Sequence, residues 1–359
     1  MTSNLEESLE ILISLSRITF LSLAEKIKLY KNLDISSDLA LMSLEDLEKF
    51  AGRPLRRVKW NGRENLEFAK REIKTLLSKD IGYIVYGQAD YPALLKETVN
   101  APFVLFYRGN KEALYSSSLS VVGSRRVTAE GRKATFDFAY QASLQGFNVV
   151  SGLAAGVDSE AHRGAVSALF DRYDKSGNFD AGKTIAVLPC GIDTVFPSAN
   201  KKLAEQIIKT GGILVSEYVP GTPPEKFRFV QRNRIIASLS PVTVVTEASD
   251  GSGALITADY ALDYNRELVF LSSCFSKSAS LARENERKKN AALAASASAS
   301  SSAGKSRKVL SSIEKYLEVG APVAENFEDL KKILSQAPEE RALRCKKEDE
   351  LKNNQQTLF

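Results

Sequence analysis

Histidine is almost missing from this sequence: His162 is the only one in 359 residues. A metal centre would therefore have to be built from cysteine and carboxylate. The three cysteines, Cys190, Cys274 and Cys345, are far apart and form no C-x-x-C pair. Their odd number and wide spacing argue against a disulfide framework and point to a reducing, cytoplasmic setting. No stretch approaches the roughly 20 consecutive apolar residues of a membrane-spanning helix. The acidic, polar segment Met1–Glu10 does not have the character of a secretory signal. Charge of one sign is also scarce in excess. The net charge of +5 permits a nucleic-acid partner without demanding one, so the position of the cations matters more than their number.

What is present has a clear order. Residues 1–80 read as small helices, with apolar residues at helical spacing in Leu9–Ile11–Leu12–Leu15 and again in Leu41–Leu44–Leu47–Phe50. Ser43, with Asp46–Leu47 after it, has the look of a helix start. Residues 81–118 read as a connecting segment, in which Pro92 and Pro102 argue against a long helix. From Leu119 short β-branched runs alternate with amphipathic stretches. The expected strands are 119–122, 148–150, 184–188, 213–216, 242–247 and 267–271. The expected helices between them are 128–145, 159–169, 199–210, 233–239 and 254–264. This alternation predicts βαβ units and a mostly parallel, doubly wound α/β sheet over residues 119–335. Residues 170–181 read as a polar loop insertion. Residues 291–304 form an Ala/Ser tract expected to be disordered, the stretch 313–334 is expected to pack back on the sheet, and 336–359 is a charged tail.

The functional residues are expected in the loops that follow strands. Gly123-Ser124-Arg125 comes after the first expected strand and before a helix. Glycine permits a sharp turn, exposed N–H groups at a helix start attract phosphate, and Arg125 offers a bidentate donor. One such tripeptide fits an ordinary tight turn equally well. Two further basic loops add weight: Asn200-Lys201-Lys202, and Lys226-Phe227-Arg228-Phe229 with Arg232-Asn233-Arg234. In an open parallel sheet with right-handed crossovers such loops leave the same edge, so Arg125, Lys201, Lys226 and Arg234 are expected on one rim. Cations track a phosphate backbone, and Phe196, Phe227 and Phe229 are candidates to stack on bases of a single strand. Core packing is the competing role for these phenylalanines.

Three other chemistries fail on context. Gly177–Thr184 matches the phosphate-loop pattern G-x-x-x-x-G-K-T, but Thr184 opens an expected strand where that motif requires a helix. A dinucleotide site wants G-x-G-x-x-G after the first strand and an acidic residue ending the second. Here the loop is Gly-Ser-Arg-Arg and the second strand runs into Ser151-Gly152, so no such cofactor is expected. His162 lies in a helix with no nucleophile beside it, so a packing or helix-surface role is expected of it.

Taken together, these residues resemble the DprA/Smf family of DNA-processing proteins. The likeness runs from about Tyr91 to Ala261. It is carried by 121–125 (VVGSR), 151–158 (SGLAAGVD), 161–165 (AHRGA), 184–188 (TIAVL), 190–193 (CGID), Pro197, Asn200, 216–217 (SE), 220–221 (PG), 232–236 (RNRII) and 252–258 (SGALITA). The resemblance implies an extended Rossmann domain that binds single-stranded DNA, forms a homodimer and loads RecA, preceded by a small helical domain of the sterile-alpha-motif type. By resemblance, Arg125, Lys201, Lys226 and Arg232–Asn233–Arg234 fall in the DNA pocket, and Gly123, Ser124 and Gly253 bring backbone N–H groups to phosphates. The chain departs from the family at Ser272-Ser273-Cys274-Phe275, where a Pro-Gly turn is usual, and shows no winged-helix segment. The family's role is binding, not catalysis. A rival is a nucleotide-processing enzyme like the lysine-decarboxylase-like phosphoribohydrolases, whose glycine-rich loop carries a catalytic glutamate. The corresponding position, four after Gly253, is Thr257, which offers no carboxylate for general acid–base work. A third reading is a recruiting scaffold, with the N-terminal helices and basic tail as its contacts.

Overall fold

The computed structural model describes residues 2–173, 181–298 and 312–336. The chain forms two compact units. The first comprises residues up to Tyr115 together with Ile185–Ile235; the second comprises Ser116–Thr184 together with the chain from Ile236.

The first unit opens with five helices: α1 (Thr2–Arg17), α2 (Leu23–Asn32), α3 (Ser36–Leu41), α4 (Leu44–Ala51) and α5 (Gly62–Ser78). Serine begins two of them. Ser22 and Ser43 each accept the N–H three residues on, while Glu25 and Asp46 reach back to the serine N–H, so two orphan donors are met at each start. Leu12, Ile13 and Leu15 of α1 are buried, and Asn65 of α5 donates to the Ser14 carbonyl at 3.0 Å. Gly62 lets α5 approach α3, since a Cβ there would lie 2.5 Å from the Ala40 carbonyl oxygen.

Residues 81–118 prove to be more than a connector. They supply β1 (Gly82–Val85), the short α6 (Ala93–Lys96) and β2 (Val104–Gly109). β1 runs antiparallel to β2, with Val85 opposite Val104. β2 runs antiparallel to β6 (Ile213–Ser216), with Phe106 opposite Ser216. β5 (Thr184–Val187) is parallel to β6, and α9 (Lys201–Lys209) and α10 (Lys226–Ser238) follow these two strands. A four-residue strand such as β1, with its first two residues partly exposed and its last two buried, carries too little periodicity to read alone.

β5 and β6 thus place two of the six expected strands in the first unit; the other four lie in the second unit, whose sheet is wholly parallel. Its strands β3 (Ser118–Gly123), β4 (Asn148–Ser151), β7 (Val242–Glu247), β8 (Glu267–Leu271) and β9 (Val323–Ala324) lie in the order β4-β3-β7-β8-β9, and every pairing between neighbours is parallel. β7 is buried at all six positions: its three valines fill the core, and Thr246 accepts a hydrogen bond from Thr135 Oγ1 at 2.7 Å. Helices α7 (Ala129–Leu144), α8 (Val157–Asp171), α11 (Gly253–Asp263), α12 (Lys277–Ser298), α13 (Ile313–Glu318) and α14 (Phe327–Ser335) complete it. The 313–334 stretch does return to the sheet: β9 pairs with β8, and Phe327 meets Phe138 and Phe147 edge-on at 5.8 and 5.4 Å. The Ala/Ser tract differs from expectation over 291–298, where it continues α12, as alanine's helix propensity allows. Residues 299–304, most of the 170–181 insertion and the charged tail after Gln336 lie outside the described residues.

Candidate nucleic-acid interface

In the second unit the site is built around the end of β3. The β3–β7 register shifts between Val122 and Gly123, and Ser124 N–H then donates to the Glu247 carbonyl at 2.7 Å. Only glycine fits at 123: a Cβ would lie 2.5 Å from Val157 Cγ2 and 2.6 Å from the Glu247 carbonyl oxygen. Beyond it, Ser124 Oγ accepts from Arg126 N–H at 3.2 Å, and the Ser124 carbonyl accepts from Val157 N–H at 3.1 Å. Gly156, at φ +80°, lies so close beneath this turn that a Cβ would sit 2.3 Å from the Ser124 oxygen. The backbone of 123–126 is thus held on several sides, while the side chains of Arg125 and Arg126 are exposed.

The start of α7 is not the anion site that its position suggested. It is capped by Thr128, and the buried carboxylate of Glu247 already occupies it. That carboxylate accepts from Thr128 N–H at 3.0 Å and from Thr128 Oγ1 at 2.6 Å. The protein's own carboxylate thus satisfies the helix dipole. The groups left exposed at this strand end are the Arg125 and Arg126 side chains of the turn and not the start of the helix after it. α11, which follows the adjacent parallel strand β7, begins at exposed Gly253 with no side-chain cap. Ser252 Oγ there is buried without a partner among the described residues. Because β3 and β7 are parallel neighbours, Gly123–Arg125 and Gly253 come to the same edge.

In the first unit the loops after β5 and β6 likewise share an edge and bind each other. Gly191 N–H donates to the Thr222 carbonyl at 2.9 Å, and Gly221 N–H to Asp193 Oδ1 at 2.9 Å. Lys201 and Lys202 begin α9 and Lys226 begins α10, all exposed. Phe196 and Phe227 are 43% and 50% exposed, so they are not core residues. Phe196 meets Phe229 edge-on at 5.6 Å, and the Arg228 guanidinium lies 5.0 Å from the Phe227 ring.

The 232–234 cluster behaves differently. Arg232 is only 2% exposed and donates to the Val187 carbonyl at 2.6 Å, so its charge serves the fold. Asn233 is buried, and half-buried Arg234 is ion-paired to Glu217. Burial holds the nearby Lys26 ammonium down to about 8, partly offset by Glu217. These cations are buried or half-buried, unlike the exposed lysines.

Lys183 of the phosphate-loop pattern precedes β5 instead of opening a helix; residues 177–180 of that motif lie outside the described set. His162 is fully buried, 2.6 Å from Thr184 Oγ1, which is the packing role expected. Thr257 is buried and donates to the Gly253 carbonyl at 3.0 Å. The described residues hold no group of His, Cys, Asp and Glu suited to a metal, and no helix long and apolar enough to cross a membrane. Sequence reasoning missed Glu247 as the α7 cap and Arg126 as an exposed neighbour of Arg125. The run Gly-Ser-Arg-Arg was the signal for the second; none existed for the first.

Comparison with known proteins bears on the whole. The sequence profile described as DNA recombination-mediator protein A matches residues 82–303. The chain is 30% identical over 253 residues to protein Smf of Borreliella burgdorferi, covering 70% of this chain and 76% of that protein. Further curated relatives, 33–39% identical, are spanned over 44–63% of their own length. The X-ray structure of DNA processing protein A from Streptococcus pneumoniae superposes with a TM-score of 0.60 at 26% identity, covering 89% of this chain and 95% of that one. The corresponding Helicobacter pylori protein, described for its single-stranded DNA binding mode, has the same fold, with a TM-score of 0.51 at 23% identity over 70% of this chain and 95% of its own. A profile match across most of the chain, on the strand-end turns described above, makes this chain a member of the DprA/Smf family of DNA recombination-mediator proteins.

Proposed function

We propose that this protein binds single-stranded DNA through its phosphates and passes it to the recombinase RecA in DNA uptake and homologous recombination, acting as a non-enzymatic cytoplasmic homodimer. The carrying observation is the 123–126 turn, whose backbone is committed to β7 and α8 while two arginine side chains lie exposed. Fixed backbone and exposed guanidinium groups suit a phosphate, because little ordering remains to be done on binding. Arg125 takes a phosphate, and the Ser124 and Gly253 backbone lies against the strand. On the other unit Lys201 and Lys226 follow the backbone, and Phe196 and Phe227 stack on bases. Arg232, Asn233 and Arg234 support that edge from behind. The handover to RecA and the homodimer rest on family membership.

The test is fluorescence anisotropy with labelled oligo-dT and a duplex of equal length across a salt series. Preference for the single strand, with affinity falling steeply as salt rises, is the expected result. No binding at low salt would remove DNA binding from the reading, and a RecA pull-down would then decide for the scaffold.

A further inference from the structure

The loop between α4 and α5, with the first two residues of α5, holds five cations over 53–63, Arg53, Arg56, Arg57, Lys59 and Arg63, and no acidic residue. Its backbone is fixed at several points. Gly52 closes α4 in the left-handed region at φ +68°, and Leu55 is buried, its N–H donating to Glu48 Oε1 at 2.6 Å. Arg53 is spent on Glu25, with contacts of 2.8 and 2.9 Å, and Trp60 Nε1 donates to the Met42 carbonyl at 2.8 Å. Between these anchors Arg56, Arg57 and Lys59 are exposed, as is Arg63 just beyond. None of the four has an ion-pair partner among the described residues. Arg57 stands at φ +59°, a conformation that costs a non-glycine residue energy and here turns the loop at its most basic point.

Beside this loop opens a cavity of about 530 Å³, lined among others by Arg17, Phe20, Lys59, Trp60, Asn61 and Glu64. Trp60 and Phe20 meet edge-to-face at 6.1 Å, and both line the cavity and are partly exposed. Arg17, half-buried, lies 3.6 Å from the centre of the Phe68 ring, and burial lowers its pKa. Glu64 is the one acid in the lining, against Arg17 and Lys59.

We propose that this loop and cavity form a second contact for single-stranded nucleic acid, with Arg56, Arg57 and Lys59 on consecutive phosphates and an unpaired base entering against Phe20 and Trp60. An acidic peptide would meet the cations but has no use for an aromatic cavity. A duplex offers phosphates but no free base. The contact is independent of the sheet-edge site, since every residue in it lies in the N-terminal helices and their loops.

Trp60 is the only tryptophan in the chain, so its fluorescence reports this site alone. The experiment titrates the full-length protein with oligo-dT and follows tryptophan emission. Four proteins are compared: the parent, Arg125→Glu, Arg56→Glu/Arg57→Glu, and Lys133→Glu as an exposed control outside both sites. The expected result is saturable quenching that survives Arg125→Glu and the control, and is weakened at least about tenfold in the double variant, where two phosphate contacts are reversed. Absence of quenching in the parent at saturating oligo-dT would overturn the proposal. So would equal quenching by a duplex, by inorganic phosphate or by an acidic peptide. A fall in the overall affinity read by anisotropy with Arg125→Glu, while the midpoint of tryptophan quenching stays unchanged, would separate this site from the sheet-edge one.

Discussion

Replacing Arg125 by alanine removes one exposed guanidinium from a turn whose backbone is held by other groups. The backbone on either side is held by Ser124 N–H to Glu247 at 2.7 Å, Val157 N–H to Ser124 at 3.1 Å and Arg126 N–H to Ser124 Oγ at 3.2 Å. Stability should therefore change by less than about 0.5 kcal/mol, the usual range for a surface substitution. DNA affinity should change far more. A hydrogen bond to a charged group contributes about 1.5–3 kcal/mol, which corresponds to roughly a ten- to hundredfold loss at low salt. Losing one phosphate contact to a single strand should also flatten the plot of log affinity against log salt by about 0.7. The loss should be the same for oligo-dT, oligo-dC and mixed sequence, because phosphates carry no base information. Arg125→Glu should exceed the alanine variant in every respect. Anisotropy over a salt series measures both quantities, and urea unfolding checks the stability. Unchanged affinity and slope in a folded Arg125→Glu protein would refute the assignment of this turn.

The buried cation Arg232 predicts the opposite pattern: Arg232→Ala should lower stability by about 2–3 kcal/mol, since the Val187 carbonyl loses its charged donor. Lysine should restore it in part, and urea unfolding with anisotropy on the folded fraction separates this from a DNA contact. Glu247→Ala leaves Thr128 N–H and Oγ1 without their acceptor at the start of α7. A loss of about 2–3 kcal/mol is expected, readable as a lower urea midpoint with an unchanged slope. Lys26 has a folded pKa near 8, below its ordinary 10.5, so its protonation costs the folded state. Its contribution to stability should rise as pH climbs from about 8 towards 10.5 and level off below 8. Lys26→Met should remove that rise, as thermal melts of both proteins across the range would record. Burial pushes the Cys190 and Cys274 thiols up to about 11 and about 12, so both should resist iodoacetamide at pH 8 until the protein unfolds. Mass spectrometry of modified peptides would show prompt labelling if that environment were misread.

The strand–helix alternation from Leu119 onward was legible because each unit of it depends on neighbours in sequence. A run such as Val242–Glu247 is rich in β-branched residues that suit a strand covered on both faces, and its length distinguishes it from a helix. The basic strand-end turns were legible for the same reason: Gly123-Ser124-Arg125 is local chemistry at a local bend. β1 and β2 were not, because β1 takes its place from β2 and β2 from β6, more than a hundred residues away. Nor could sequence sort the cations. Arg125 and Arg232 look alike in one dimension, yet one is exposed on a fixed turn and the other is spent on Val187. Glu247 came to cap α7 from 119 residues beyond Thr128, a pairing only the adjacency of β3 and β7 creates. Whether a charge meets solvent, a partner or a ligand depends on what lies across space from it. The sequence by itself determined which residues carry charge and where the chain bends; the tertiary structure decided which of those charges remain exposed for a phosphate.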